Sequence, residues 1–144
     1  MIIMKNTSKI KCYLTQLSLT IFLYSLSAEN IATELHASAA TSDNNHYHVS
    51  YRSQIEPLPL NRIHSWLLHV DTLNGQPVEN AIISVRGSMP AHKHGLPTQP
   101  QVSEIGGGDY LVEGLKFSMT GLWQVGFDIR TQDITDKVKF TIEF

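Results

Sequence analysis

The densest group of chemistry-bearing side chains lies in Ser88-Met-Pro-Ala-His-Lys-His-Gly-Leu-Pro-Thr-Gln-Pro100. His92 and His94 are two residues apart, a spacing that in an extended chain points both imidazoles the same way. Two imidazoles on one side chelate a borderline or soft metal. Met89 lies three residues before His92. Met119 follows Phe117 in a second loop, and loops gather at the ends of a β-sandwich. His64, near the start of a predicted strand, is placed to approach the same end. Met with His and no thiolate is a donor set that suits Cu(I), whereas two or three histidines alone suit Cu(II) or Zn(II). The competing reading of the same residues is a polar loop shaped by Pro90 and Pro97, with Met89 packing as a core plug or the loop touching a partner. His36, His46 and His48 are expected in a solvated linker, and His69 is expected to be a structural residue within a strand.

Other chemistry is missing from the chain. It has no G-x-S-x-G elbow, no H-E-x-x-H and no Walker loop. Gly106-Gly107-Gly108 precedes a strand rather than a helix, so it offers no helix N-terminus to a phosphate and reads as a turn. The carboxylates are scattered, with no pair that stands out as an acid/base couple. These features argue against an enzyme. Cys12 is the only cysteine, so a chain cleaved after it has neither disulfide nor thiolate ligand.

The elements that must position the Met and His residues are strands. Arg62 to Leu73 reads as a first strand, followed by the turn Asn74-Gly75-Gln76-Pro77. Val78 to Arg86 is a second strand, and a proline-rich loop covers Gly87 to Pro100. Gln101 to Ile105 and Tyr110 to Phe117 are a pair joined by the glycine turn. Trp123, Val125, Phe127 and Ile129 alternate with Gln124, Gly126, Asp128 and Arg130. Val138, Phe140, Ile142 and Phe144 alternate with Lys137, Lys139, Thr141 and Glu143. Period 2 gives each strand one apolar and one wet face. Short strands at this spacing, without a helical stretch, predict an all-β fold: an immunoglobulin-like antiparallel β-sandwich of six to seven strands over residues 61–144.

Before that domain the composition changes twice. Residues 1–27 carry Lys5, Lys9 and Lys11, no acid, and an apolar run from Cys12 to Leu26. That run is shorter than the ~20 residues of a membrane-spanning helix, and small residues follow it. The expectation is a cleaved signal peptide, a periplasmic or secreted protein, and no membrane span in the mature chain. Residues 28–60 are rich in Ala, Ser, Asn and His and read as a flexible linker, in which Tyr47 to Tyr51 alternates weakly enough to add only an edge strand. The formal net charge is -2. With the three leader lysines set aside, 8 basic residues face 13 acidic ones, for a charge of -5. Such a surface repels nucleic acid at long range.

The folded region also resembles a known family. The segments Asn61-Arg-Ile-His-Ser-Trp66, Leu67-Leu-His-Val70, Gly75-Gln-Pro-Val78, Met89-Pro-Ala-His-Lys-His-Gly-Leu-Pro-Thr-Gln-Pro100, Gly108-Asp-Tyr-Leu-Val-Glu-Gly114 and Lys116-Phe-Ser-Met119 with Gly121 and Trp123 are similar to the YtkA-like domain family, which is related to the periplasmic part of FixH proteins. The resemblance spans about Asn61 to Phe144, and its most specific block is M-P-x-H-x-H-G-L-P-T. It implies an exported immunoglobulin-like sandwich linked to copper handling or respiratory oxidase assembly. Met89, His92, His94 and Met119 are the residues that carry over as copper ligands. Thr120 stands where the family is expected to show proline. The membrane anchor of FixH proteins is not evident in this chain, which weakens a direct part in oxidase assembly. Together these readings give an exported copper-binding or copper-delivering accessory protein working with a periplasmic or membrane-bound partner protein. The alternative is a metal-free interaction module.

Overall fold

The computed structural model describes residues 37–144; the expected leader and the first part of the expected linker lie outside them. Among the described residues nine strands run in chain order: β1 Ala37–Thr41, β2 Tyr47–Ser53, β3 His64–Thr72, β4 Ile82–Met89, β5 His94–Gly95, β6 Gln101–Gly106, β7 Asp109–Leu115, β8 Leu122–Arg130 and β9 Thr135–Glu143. They form two antiparallel sheets, one of order β1-β2-β3-β7-β6 and one of order β5-β4-β8-β9. The expected all-β sandwich is present, with more strands than the six or seven predicted.

The alternating runs set the core. Trp123, Val125, Phe127 and Ile129 of β8 are fully buried, and Val138, Phe140 and Ile142 of β9 nearly so. They meet Trp66, Leu68 and Val70 of β3 and Tyr110, Val112 and Leu115 of β7 from the other sheet. Inward alternation from both sheets is how a sandwich excludes water from its middle. The aromatic pairs are close: Tyr51 stacks on Trp66 with centroids 4.1 Å apart, and Phe140 meets Tyr51 edge-on at 4.8 Å. Contacts of this kind add to the area buried.

The start of the domain corrects the sequence-based expectation. Residues 28–60 were expected to be a linker, yet β1 and β2 lie within them, and β2 is an interior strand flanked by β1 and β3. Tyr47, Val49, Tyr51 and Ser53 face inward, so a polar composition hides a strand whose buried face carries two tyrosines and a valine. A second correction concerns the histidines there. His46 Nδ1 lies 2.9 Å from Asp136 Oδ2, and His48 sits in β2 with Nδ1 3.2 Å from Thr41 Oγ1; neither is a free linker side chain. Buried Asp136 also accepts from Ser42 Oγ at 2.7 Å, from the Asn44 side-chain amide at 3.0 Å and from the Lys137 backbone at 2.8 Å. That carboxylate fastens the β1–β2 turn to the start of β9. Burial opposes its charge, but the bonds from Ser42, Lys137, His46 and Asn44 outweigh that and hold its pKa well below the usual carboxylate range.

Two shorter connections place the Met and His residues. The expected second strand, Val78 to Arg86, starts later and ends later: β4 is Ile82–Met89. Met89 is therefore the last residue of a strand rather than part of a loop. Because the strands are antiparallel, the end of β4, the ends of β7 and β9 and the starts of β3, β6 and β8 fall at one end of the sandwich. Among the described residues no helix is long and apolar enough to cross a membrane.

Candidate metal centre at one end of the sandwich

A tight reversal after β4 presents the two histidines. The Met89 carbonyl accepts from both His92 N and Lys93 N, each at 3.0 Å. Lys93 has φ 56°, the left-handed conformation that lets the chain turn back. The chain then re-pairs as β5, with Met89 opposite His94 and Ser88 opposite Gly95. Gly87 is required by the returning chain, since a Cβ there would stand 2.5 Å from Leu96 Cγ. The reason for expecting His92 and His94 on one side, an extended segment, does not hold here. His92 is in the turn and His94 in β5, yet their rings lie 5.8 Å apart between centroids at an interplanar angle of 34°.

The other residues close a circuit around them. The His94 ring meets the edge of Trp123 at 5.9 Å. Trp123 Nε1 donates to the Met119 carbonyl at 3.0 Å. Gly121 backs onto Met89, where a Cβ would stand 3.2 Å from Met89 Cε. Met89, His94, His92, Trp123 and the Met119–Gly121 segment are thus neighbours in one small region. Their exposure differs. His92 is exposed, His94 half-buried and Met119 40 % exposed, whereas Met89 is 1 % exposed. Met89 was expected in a loop away from the core pleats; it is a core side chain at the edge of the site. The core-plug reading of this residue is therefore correct as packing.

His64 stands apart from that circuit. Its ring packs on Phe117 at 5.5 Å, and Phe117 in turn packs on Trp123 at 5.3 Å. Its Nδ1 lies 3.1 Å from the Arg62 carbonyl. A carbonyl only accepts, so Nδ1 carries the proton and Nε2 keeps its lone pair. That Nε2 is buried and has no hydrogen-bond partner among the described residues. Burial pushes its pKa down, against a smaller upward pull from the Arg62 carbonyl. An imidazole held by one nitrogen on a backbone carbonyl, with the other bare and neutral, has the orientation of a metal-binding histidine.

The spacing of the two imidazoles meets one necessary condition for sharing an ion. An ion about 2.0–2.1 Å from one nitrogen of each ring stands about 3.2 Å from each centroid, so two rings on one ion have centroids up to about 6.4 Å apart. The observed 5.8 Å lies inside that limit. No group of three or more His, Cys, Asp or Glu suited to a metal occurs among the described residues.

His69, expected to be a structural residue within a strand, is one, and the structure supplies the partners that the sequence did not. On the outer face of the five-stranded sheet, His69 Nδ1 lies 2.6 Å from Asp109 Oδ1 and Nε2 lies 3.1 Å from Asp71 Oδ2. Partial burial works against the charged ring, but the bonds and charges of Asp109 and Asp71 prevail and raise its pKa. His69 and Asp109 are register partners across β3 and β7, while Asp71 follows two residues along the same strand. The two-residue spacing of His69 and Asp71 is visible in the sequence, but the partner from β7 depends on register. With both nitrogens bound to carboxylates, the ring braces the sheet and has no free lone pair for a nucleophile or a metal.

Comparison with curated proteins and with solved structures finds no match. The YtkA-like family model matches residues 39–128. That span opens in β1, closes in β8 and contains the β4–β5 reversal and the Met119 segment. It covers more than half of the 144 residues, and the chain belongs to the YtkA-like family.

Proposed function

We propose that this domain is an exported, non-enzymatic accessory protein that holds copper at the β4–β5 end of the sandwich and delivers it to a periplasmic or membrane-bound partner. The observation that carries this reading is the circuit of contacts joining His92, His94, Trp123, Met119 and Met89. His92 and His94 supply imidazole, and Met119 supplies an exposed thioether. Met89 offers a second sulfur from the core side, and His64 lies one aromatic ring further in. Copper bound there would be a cargo rather than a resident cofactor. The chain's own part is to hold soft and borderline donors together at a solvent-facing edge, where a partner can reach the ion.

The direct test is equilibrium uptake of Cu(I) and of Cu(II) by the purified domain, followed by removal of loosely held metal. One equivalent retained by the wild-type protein, and none by a His92→Ala/His94→Ala variant that still unfolds cooperatively, is the expected result. No retention by the wild-type protein would sink the reading. A second reading, a metal-free docking module, draws on a separate observation. Leu60, Ile63, Met119 and Leu122 are exposed apolar side chains at this same end, with Arg62 and Lys116 in the same loops and Lys93 in the β4–β5 turn.

A further inference from the structure

Resting on the copper reading, we infer that Trp123 is a positioning residue: its indole fixes the Met119 segment against the His94 ring, and so decides how well thioether joins imidazole on one ion. The segment Phe117–Gly121 is held at its first residue, where Asn61 N donates to Phe117 O at 2.7 Å. It is held again at its last residue, where Gly121 and Phe144 exchange backbone hydrogen bonds of 3.0 and 3.2 Å. Between these two anchors, the Trp123 indole donates to the Met119 carbonyl at 3.0 Å. The same indole packs edge-on to His94 at 5.9 Å and to Phe117 at 5.3 Å. It is fully buried, so its place is set by the core and not by solvent.

One rigid side chain therefore touches both ligand-bearing pieces, one through a directional hydrogen bond and one through ring packing. Nothing else about Trp123 requires an N–H, because a core position in β8 asks only for apolar bulk. The indole hydrogen bond acts on Met119 and leaves the two imidazoles in place. Its loss should thus be felt by the sulfur-preferring oxidation state.

The test is a double-mutant cycle between Trp123→Phe and Met119→Ala, read by competition of the full chain with a chromophoric Cu(I) chelator and, separately, a Cu(II) chelator. Trp123→Phe should weaken Cu(I) by about tenfold, the worth of one hydrogen bond, and Cu(II) by less than about twofold. In the Met119→Ala background the same change should alter Cu(I) affinity by less than about twofold, since the group it acts through is gone. In metal-free protein, amide exchange in residues 118–121 should quicken about tenfold while the β8–β9 ladder is unmoved. If phenylalanine leaves the fold too loose, benzothienylalanine at position 123 keeps the shape and removes only the N–H. Equal Cu(I) losses in both backgrounds, or parallel losses of Cu(I) and Cu(II), would reduce Trp123 to a core residue and overturn the inference alone. Absence of Cu(I) uptake by the wild-type protein would instead overturn the copper reading, and this role with it.

Discussion

At the scale of single residues, two positions test the packing that the site depends on. Phe127 is fully buried between Trp66 at 6.5 Å and Phe140 at 6.1 Å. Phe127→Ala should cost about 3–5 kcal/mol in denaturant melts, the usual loss for an aromatic core truncation; a loss below about 1 kcal/mol would contradict the assigned core. Gly121 has φ 115° and backs onto Met89. Gly121→Ala strains the backbone and presses on the Met89 methyl, so it should destabilise by about 1–3 kcal/mol and disturb copper uptake through Met89. Phe127 was legible in the sequence, because period-2 alternation needs only local pattern. Met89 was half legible. Its residue type marked it, but its burial follows from where β4 ends, and Pro90 suggested an earlier loop.

At the scale of elements, the β1–β2 turn and the outer face of β3 show what local pattern cannot reveal. Asp136 lies on the inward face of β9, where alternation alone predicts an apolar residue. Its partners Ser42, Asn44 and His46 come from more than 80 residues away in sequence. Removing it leaves those donors unsatisfied, so Asp136→Ala should cost about 2–4 kcal/mol by chemical denaturation and expose residues 42–46 to protease. A wild-type proteolysis pattern would contradict this latch. A carboxylate whose folded pKa is depressed contributes stability present above its unfolded pKa of about 3.9. That contribution is lost as pH falls through the folded value. His69 has the opposite sign. Its folded pKa is raised, so its contribution is full below about pH 6.5 and is lost as pH rises through the folded value. His69→Gln should therefore lower the melting temperature more at pH 5.5 than at pH 9. Equal shifts at both values would contradict the carboxylate-braced imidazolium. Strands β1 and β2 were hidden for a related reason. Their small and polar residues resemble linker composition, and only pairing with β3 reveals Tyr47, Val49 and Tyr51 as one buried row.

At the scale of the whole molecule, topology explains why the candidate ligands meet. Met89 and Met119 are 30 positions apart in sequence, and the chain between them leaves one sheet for the β6–β7 hairpin of the other and returns at the same end. His64 arrives there from the start of β3. The M-P-x-H-x-H block marked the candidate ligands; Trp123, which touches the His94 ring and the Met119 carbonyl, read only as a core residue. Metal loading should depend on pH, because imidazole binds only when neutral. Copper affinity is expected to fall in acid, where protons compete for the imidazole nitrogens. His64, whose folded pKa is lowered, contributes stability that is present above about 6.5 and lost as pH falls through the folded value. Acid therefore weakens this end of the sandwich as it weakens the ligands.

The claim that imidazole and thioether serve one ion is tested most directly by X-ray absorption at the copper edge of the Cu(I)-loaded domain. The predicted first shell contains nitrogen at about 2.0 Å and sulfur at about 2.3 Å, with the sulfur contribution reduced in Met119→Ala. A shell of nitrogen and oxygen alone, unchanged by Met119→Ala, would contradict the account.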